Sequence, residues 1–176
     1  DRLNKLHNPT LYSKWAFEHR LYREAPLPPP TSPSTIQVLE LSNHAKAFTL
    51  AGSSIITIDR DFDTLVKNKM GALWHIRQTL KAQQGDCYEV DDFRVKIAQV
   101  FQGQDVKGVL IEVEYTPCQY LAQGEPIIRD FIEQLRLPNA REFFRPKDYN
   151  PASAGEDKVF TILDTGRQYM ELLRMR

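Results

Sequence analysis

Two glutamates, Glu112 and Glu114, are separated by one residue in an alternating stretch, so they point to the same face of a strand. Paired carboxylates of this kind can hold a divalent metal, and Arg94 and Lys96 on a facing strand could hold phosphate oxygens. Together these residues would suit a metal-dependent triphosphate hydrolase built in a β-barrel. The alternative is a salt-bridged, solvated sheet face. We favour the alternative because no other predicted strand carries a Glu-x-Glu pair.

Other patterns that mark enzymes or metal sites are missing from the sequence. It contains no GxGxxG, Walker, GxSxG or HExxH motif. The two cysteines, Cys87 and Cys118, form no CxxC, and we expect buried, inert thiols in a reducing compartment. Asp59, Asp61 and Asp63 lack the glycine and the distal glutamate of a calcium loop. We therefore predict no catalytic residue, no cofactor and no bound metal.

The balance of charge argues against a nucleic-acid-binding surface. The chain has 176 residues with 23 basic and 23 acidic side chains, so its formal net charge is zero. A surface that neutralises phosphates needs an excess of Lys and Arg, and we expect no direct contact with nucleic acid. No apolar stretch approaches the roughly 18 residues that span a bilayer, so we expect no membrane association. The polar start 1–8 resembles the end of a helix, and we expect that the chain begins after the true N-terminus.

The clearest structural prediction is a β-hairpin over residues 88–102 and 106–120, joined by a three-residue loop that contains Gly103. If Gln102 faces Val106, one register gives apolar pairs on one face and opposite charges on the other. The pairs are Phe93 with Tyr115, Val95 with Val113, Ile97 with Ile111, Arg94 with Glu114, and Lys96 with Glu112. This register supports the salt-bridge interpretation, because each glutamate faces a basic residue.

The remaining elements are grouped strands followed by helices. Alternating apolar residues predict strands over 11–22, 35–41, 45–51 and 54–59. A 3.6-residue period predicts helices over 61–83, over 126–137 with Pro126 in its first turn, and over 157–175. Loops are predicted at 24–34 and 138–156. This order indicates a single α+β domain, residues 1–176, with an antiparallel sheet that carries helices and could close into a β-barrel.

Three aromatic residues are candidates for contact with protein partners. Phe143 and Phe144 lie in the second loop between basic residues, so they are either an exposed anchor or folded back onto the core. Trp15, on the apolar face of the first strand, is the third candidate. The Pro-rich stretch 26–33 is either a stiff connector, which we favour, or the ligand through which a free adaptor binds a Pro-recognising module.

The sequence resembles subunit 20 of Mediator, the coactivator of RNA polymerase II. The resemblance covers residues 45–176, whereas the first 44 residues match only loosely. Its most specific segments are Tyr88-Glu-Val-Asp-Asp-Phe-Arg-Val-Lys-Ile-Ala-Gln-Val100, Glu112-Val-Glu-Tyr-Thr-Pro-Cys118 and Gln168-Tyr-Met-Glu-Leu-Leu173. The stretch 48–63 also looks like that family. The family has a strand before its first helix, which has no counterpart here.

The resemblance implies more than the residue patterns establish. It implies a β-barrel flanked by helices, related to fungal-type RNA triphosphatases but without catalytic residues. It implies a heterodimer with Mediator subunit 18, tethered to the head module by the C-terminal segment of subunit 8 and linked indirectly to RNA polymerase II. The expected function is therefore a nuclear, non-enzymatic subunit that relays regulatory signals by protein binding. The alternative is a metal-dependent triphosphate hydrolase of the barrel type.

Overall fold

The computed structural model describes residues 2–25, 34–144 and 159–174. The Pro-rich stretch 26–33 and the loop residues 145–158 lie outside the described residues, so the predictions made for them are not addressed by the structure. The same holds for residue 1 and for residues 175 and 176.

Seven strands and four helices make up the described part of the chain. They are α1 (Arg2–Leu6), β1 (Thr10–Glu24), β2 (Thr35–Leu41), β3 (Ala47–Ala51), β4 (Ser54–Ile58), α2 (Phe62–Lys69), β5 (Trp74–Val90), β6 (Phe93–Gln102), β7 (Asp105–Tyr115), α3 (Leu121–Leu135) and α4 (Ile162–Arg174). The strands form one antiparallel sheet in the order β4-β3-β2-β1-β5-β6-β7. The α+β class and the first four predicted strands are confirmed. None of the described helices has the length and hydropathy needed to cross a membrane.

The β6–β7 hairpin has the predicted register along most of its length. All the apolar and charged pairs predicted for it are found. Near the turn the register shifts after Val100, so Gln102 faces Asp105 and not Val106. Gly103 has a φ of 62° in this turn, a left-handed conformation that glycine adopts without a steric penalty. The error in the predicted register is therefore confined to the turn end, and the second strand ends at Tyr115 and not at residue 120 as predicted.

The long helix predicted over residues 61–83 is wrong. α2 ends at Lys69, and β5 then pairs with β1 along almost its whole length. The apolar spacing fits a helical stripe, but hydrogen bonding to neighbouring strands in the sheet overrides such a local preference. The turn between the two elements is tight and favours glycine at position 71, because a Cβ on Gly71 would lie 2.8 Å from the carbonyl oxygen of Lys67.

Two smaller predictions also need correction. The strand predicted over 88–102 is interrupted at Asp91, whose φ of 51° belongs to the turn between β5 and β6. α3 begins at Leu121, so Pro126 lies inside the helix and not in its first turn. The helix ends where Arg136 adopts a left-handed conformation with φ 45°. α4 confirms the last predicted helix from Ile162 onwards, whereas Val159 forms an isolated bridge with Tyr120 and lies before the helix.

Helices cover both faces of the sheet. Successive side chains of a strand point to opposite faces, and on β6 Ala98 packs with Met170 of α4 whereas Val95 packs with Phe131 of α3. α2 lies on the same face as α3, where its Val66 joins a separate apolar cluster. We call the two sides of the sheet the α4 face and the α3 face.

The prediction that the sheet closes into a barrel is wrong for the described residues. β4 and β7 are the two edges of the sheet, and they do not pair with each other. α4 packs across the α4 face instead. Gly166 lies so close to β3 that an added Cβ would be 3.0 Å from the Phe48 ring, while Tyr169 donates a hydrogen bond to Glu112 of β7. A helix that contacts both halves of the sheet covers the core, and the two edges remain apart.

Candidate functional site

The two glutamates singled out in the sequence lie in different environments on the α4 face. Glu112 is half-buried, and its carboxylate accepts hydrogen bonds from Lys96 Nζ at 2.8 Å and from the hydroxyl of Tyr169. Glu114 is exposed and has no ion pair among the described residues. The predicted salt bridge of Glu112 is confirmed. The prediction of a solvated face is wrong, because α4 covers this part of the sheet and leaves Lys96 only 7% exposed.

The ion pair predicted between Arg94 and Glu114 does not form, although the two residues face each other in the register. The guanidinium of Arg94 turns towards β5, where Nη2 lies 3.3 Å from Oε1 of Glu89. It also lies over the ring of Tyr12, 4.8 Å from the ring centroid. The carboxylate of Glu114 is therefore left at the edge of the sheet without the predicted partner.

Burial sets the protonation of the groups around Glu112. Burial raises the pKa of Tyr169 well above its usual value, and the negative charge of Glu112 raises it further. The tyrosine therefore keeps its proton at neutral pH, and its hydroxyl donates a hydrogen bond to the carboxylate. Burial also raises the pKa of the Cys87 thiol, so this cysteine stays protonated and poorly nucleophilic. The expectation of a buried, inert thiol is confirmed for Cys87, whereas Cys118 is half-buried.

The arrangement does not favour metal-dependent triphosphate hydrolysis. Within the described residues, no group of three or more His, Cys, Asp or Glu side chains could hold a metal ion. Glu112 is already neutralised by Lys96, and Glu114 has no second acidic residue beside it that is free to bind. Lys96 and Arg94, the proposed phosphate ligands, are both paired with carboxylates.

Trp15 belongs to the core and does not present its ring to a partner. Its side chain is 2% exposed, and its ring centroid lies 5.5 Å from that of Phe17 and 6.2 Å from that of Tyr169. Gly85 of the neighbouring strand packs directly beneath it, because a Cβ at that position would lie 2.7 Å from the indole. The interpretation of Trp15 as a surface anchor is therefore corrected. An apolar face of a central strand is buried by the helix that covers it.

Phe143 and Phe144 are both half-buried at the end of the segment that follows α3. The guanidinium of Arg129 lies 3.8 Å from the centroid of the Phe144 ring. The side-chain amide of Gln168 donates a hydrogen bond to the carbonyl oxygen of Phe144, which ties this segment to α4. Phe144 thus folds back onto the protein. Both rings keep exposed surface, so they remain candidates for partner contact.

Two residues that organise these sites, Tyr169 and Arg129, were not predicted from the sequence. Tyr169 was given no role beyond its place in the last predicted helix and in the segment 168–173, although a buried tyrosine needs a partner for its hydroxyl. That need was the available signal, but the identity of the partner, Glu112, follows only from the fold. Arg129 was not singled out at all. An arginine on α3 that faces a following aromatic pair could have been considered as a cation–π donor.

Comparison with known proteins gives a consistent result. A protein-family model described as the TATA-binding related factor of subunit 20 of Mediator complex matches residues 2–174. A protein of Anopheles gambiae named Mediator of RNA polymerase II transcription subunit 20 is 29% identical over 149 residues, which are 79% of this chain and 68% of that protein. Its namesake in Schizosaccharomyces pombe is 30% identical over 128 residues, 72% of this chain and 62% of that protein.

A third protein of the same name, from Xenopus laevis, is 30% identical over 118 residues, 67% of this chain and 54% of that protein. This chain therefore spans about half to two thirds of the length of the curated relatives it matches. The solved PH1819 protein of Pyrococcus horikoshii OT3 aligns with 99% of this chain and 92% of its own at 12% identity, with a TM-score of 0.43. That likeness is too weak to carry an argument.

Proposed function

The chain belongs to the family of subunit 20 of the Mediator complex, and on that premise we propose that it is a non-enzymatic subunit of the Mediator head module. In this role it relays regulatory signals to RNA polymerase II by protein–protein binding in the nucleus. The observation that carries the proposal is the family match over residues 2–174. Because the chain spans only part of the length of its relatives, the role of the whole protein belongs to the proposal.

The proposed direct partner is Mediator subunit 18, in a heterodimer, and the C-terminal segment of subunit 8 tethers the pair to the head module. The resemblance in 88–100, 112–118 and 168–173 supports this assignment. We propose that the chain acts as one domain. Phe143 and Phe144 are the proposed aromatic contacts, because partly exposed aromatic rings on a fixed segment are typical of protein interfaces.

A non-enzymatic role is supported by what occupies the α4 face. Tyr169, Met170 and Leu173 of α4 are buried against the sheet, and the carboxylate of Glu112 beside them is already bound by Lys96 and Tyr169. Substrate would have to displace a packed helix to reach the glutamate. This geometry suits a protein that presents outer surfaces to partners.

The test is co-expression of this chain with subunits 18 and 8 of the same organism, followed by size-exclusion chromatography with light scattering. A stable complex of defined stoichiometry supports the proposal. A chain that stays alone in the presence of both subunits contradicts it.

Single substitutions in the same complex test the aromatic contacts. Phe143→Ala should weaken the complex on the order of tenfold if this ring is an interface anchor. Tyr12→Ala removes an aromatic ring that is 56% exposed on β1, and it serves as the matched control. Equal affinities for the two variants would remove Phe143 from the proposed interface.

The triphosphate hydrolase alternative has a separate test. The chain is assayed for release of phosphate from a nucleoside triphosphate with and without manganese, beside its Glu114→Ala variant. Exposed Glu114 can be removed without disturbing α4, whereas Glu112 cannot. Manganese-dependent hydrolysis that disappears in the variant would overturn the non-enzymatic assignment.

A further inference from the structure

β7 forms a sheet edge that carries apolar surface. Among the described residues, no strand pairs with it on the side away from β6. Val109 is 53% exposed and Ile111 is 36% exposed. Ile111 faces Ile97, which packs in the same cluster as Phe131 of α3, so Ile111 points to the α3 face. Val109 lies two residues before Ile111 on the strand and therefore points to the same face.

The edge is long and regular, two properties that favour association with another strand. Natural edge strands are short, irregular, charged or covered. β4, at the other edge, has only 5 residues. β7 has 11 residues, and its pairing with β6 is regular from Gly108 to Tyr115. Within residues 2–25, 34–144 and 159–174, no strand occupies the backbone groups along this part of the edge.

The edge is also acidic on the α4 face. Glu112 and Glu114 are the charged residues in its regular part. Lys96 neutralises Glu112, but Arg94 is held by Glu89, so the negative charge of exposed Glu114 is not balanced by an ion pair in the described structure. An added strand would meet apolar side chains on one face and this carboxylate on the other.

We propose that the β7 edge binds an extended segment of a partner protein, which adds to the sheet as an antiparallel strand and has the pattern Lys/Arg-x-x-Φ-x-Φ, where Φ is a β-branched apolar residue. The basic residue lies beside Glu114, and the two apolar residues lie beside Ile111 and Val109. The parity of strand side chains fixes this spacing, because the first position must point to the face opposite the other two. The inference rests on the proposed function, that the chain works by binding proteins.

A second copy of this chain is a poorer occupant than such a segment. Two β7 edges in an antiparallel pair would bring both copies of Glu112 and Glu114 into one extended sheet face. Like charges across neighbouring strands destabilise the pairing, whereas a basic residue opposite Glu114 stabilises it. Charge complementarity therefore favours a basic partner segment.

The test uses fluorescence anisotropy with a labelled synthetic peptide of alternating threonine and valine that carries one lysine in the proposed position. A second peptide replaces the lysine with glutamate, and a third has a shuffled order. The wild-type chain should bind the lysine peptide about tenfold more tightly than the glutamate peptide, from the exchange of an attractive for a repulsive cross-strand pair. Glu114→Lys should reverse this preference.

Two further variants separate the edge from general charge effects. Glu133→Lys makes the same charge change at an exposed position on α3 and should leave the preference unaltered. Ile111→Lys should weaken binding of both charged peptides by about tenfold, because it places a charge beside the apolar residues of the added strand. Thermal unfolding of each variant shows that the fold is retained.

Several outcomes would overturn the proposal. One is that the wild-type chain binds the lysine peptide no more tightly than the shuffled peptide. Another is that Glu114→Lys does not reverse the preference for the lysine peptide over the glutamate peptide. A free chain that is dimeric by light scattering, and monomeric after Ile111→Lys, would assign the edge to a second copy instead. If subunits 18 and 8 bind normally while the peptides fail, the inference falls and the proposed function stands. If the peptides behave as expected while both subunits fail to bind, the edge site stands without the Mediator role.

Discussion

A buried histidine should make the stability of this protein depend on pH. His19 of β1 is 0% exposed, and its Nε2 donates a hydrogen bond to Oε1 of Gln37 at 3.0 Å. Its Nδ1 is buried and has no hydrogen-bond partner in the described part of the chain. Protonation of Nδ1 would create a buried charge and an unpaired donor at once. Burial accordingly lowers the pKa of His19 from 6.5 to about 4, against a smaller opposing effect of Gln37.

The sign and size of the effect follow from this pKa. Because the folded pKa lies below the unfolded value, the unfolded chain takes up the proton first as the pH falls below 6.5. His19 therefore has no effect on stability above this pH, and it destabilises the fold progressively between 6.5 and about 4. At about 1.4 kcal/mol per pKa unit the full loss is about 3 kcal/mol, of which about 2 kcal/mol is lost by pH 5. Losses of this size are a large part of the net stability of a domain.

The assay is urea unfolding at a series of pH values from 7 to 4.5, on the wild-type chain and on His19→Gln. Glutamine can still hydrogen bond to Gln37 but does not titrate. The free energy of unfolding of the variant should therefore fall by about 2 kcal/mol less than that of the wild type between pH 7 and 5. Other histidines, such as His44, whose pKa is also lowered by burial, act equally in both proteins. Parallel pH profiles for the two proteins would refute the reasoning.

Three further substitutions test the packing. Gly85→Ala should lower the free energy of unfolding by about 1–3 kcal/mol in urea titrations, because the new Cβ would lie 2.7 Å from Trp15; an unchanged midpoint would contradict the close approach. Gly124→Ala, the matched helical change with nothing within 4 Å of the new Cβ, should raise stability by about 0.5–1 kcal/mol. Tyr169→Phe should lower the free energy of unfolding by about 1–2 kcal/mol, because it leaves Glu112 with one hydrogen-bond partner fewer. Hydrogen exchange should then show the α4 amides opening about tenfold more often. Unaltered protection of α4 would show that the hydroxyl does not hold the helix.

The β6–β7 hairpin was predictable because two independent patterns had to agree. The apolar residues on one face and the charges on the other both required the register in which Val95 faces Val113 and Lys96 faces Glu112. A slip of one residue would have placed charges in the α3 core. The turn end could not be fixed in the same way, because few residues there constrain the register and the shift after Val100 leaves both patterns intact.

The segment 61–83 shows why a local pattern can fail. Its apolar residues have helical spacing, yet from Trp74 onwards the chain is the central strand β5. β5 is held by pairing with β1, more than fifty residues earlier in the chain for most pairs. The backbone N–H and C=O groups of a central strand form hydrogen bonds with strands that are distant in sequence. A local stretch of sequence therefore does not reveal these partners. The predicted helix includes α2, but it continues past Lys69, where α2 ends two residues before Gly71.

In the candidate site, too, the contacts within the hairpin were predictable, and the contacts with a helix distant in sequence were not. Glu112 and Lys96 were identified by residue type and register, and their ion pair is confirmed. The hydroxyl of Tyr169, which lies 57 positions from Glu112 in sequence, joins them only when α4 packs on the sheet. The same packing buries Trp15 and converts a predicted surface residue into a core residue. Burial by a helix that is distant in sequence could thus not be predicted from the local patterns.

The two proposed binding surfaces are connected through α3. This helix contacts β7, the strand that carries the exposed edge, and its Arg129 lies over the Phe144 ring at the start of the other surface. On the same helix Ile127 is 40% exposed. The α4 face has a different role. Removal of either Lys96 or Glu112 would leave the other charge uncompensated, and Glu112 also accepts the hydrogen bond from Tyr169 of α4. This pair therefore holds α4 in place and is not a ligand site. A partner that follows the exposed surfaces would therefore add a strand to β7 and continue across α3 towards the aromatic segment.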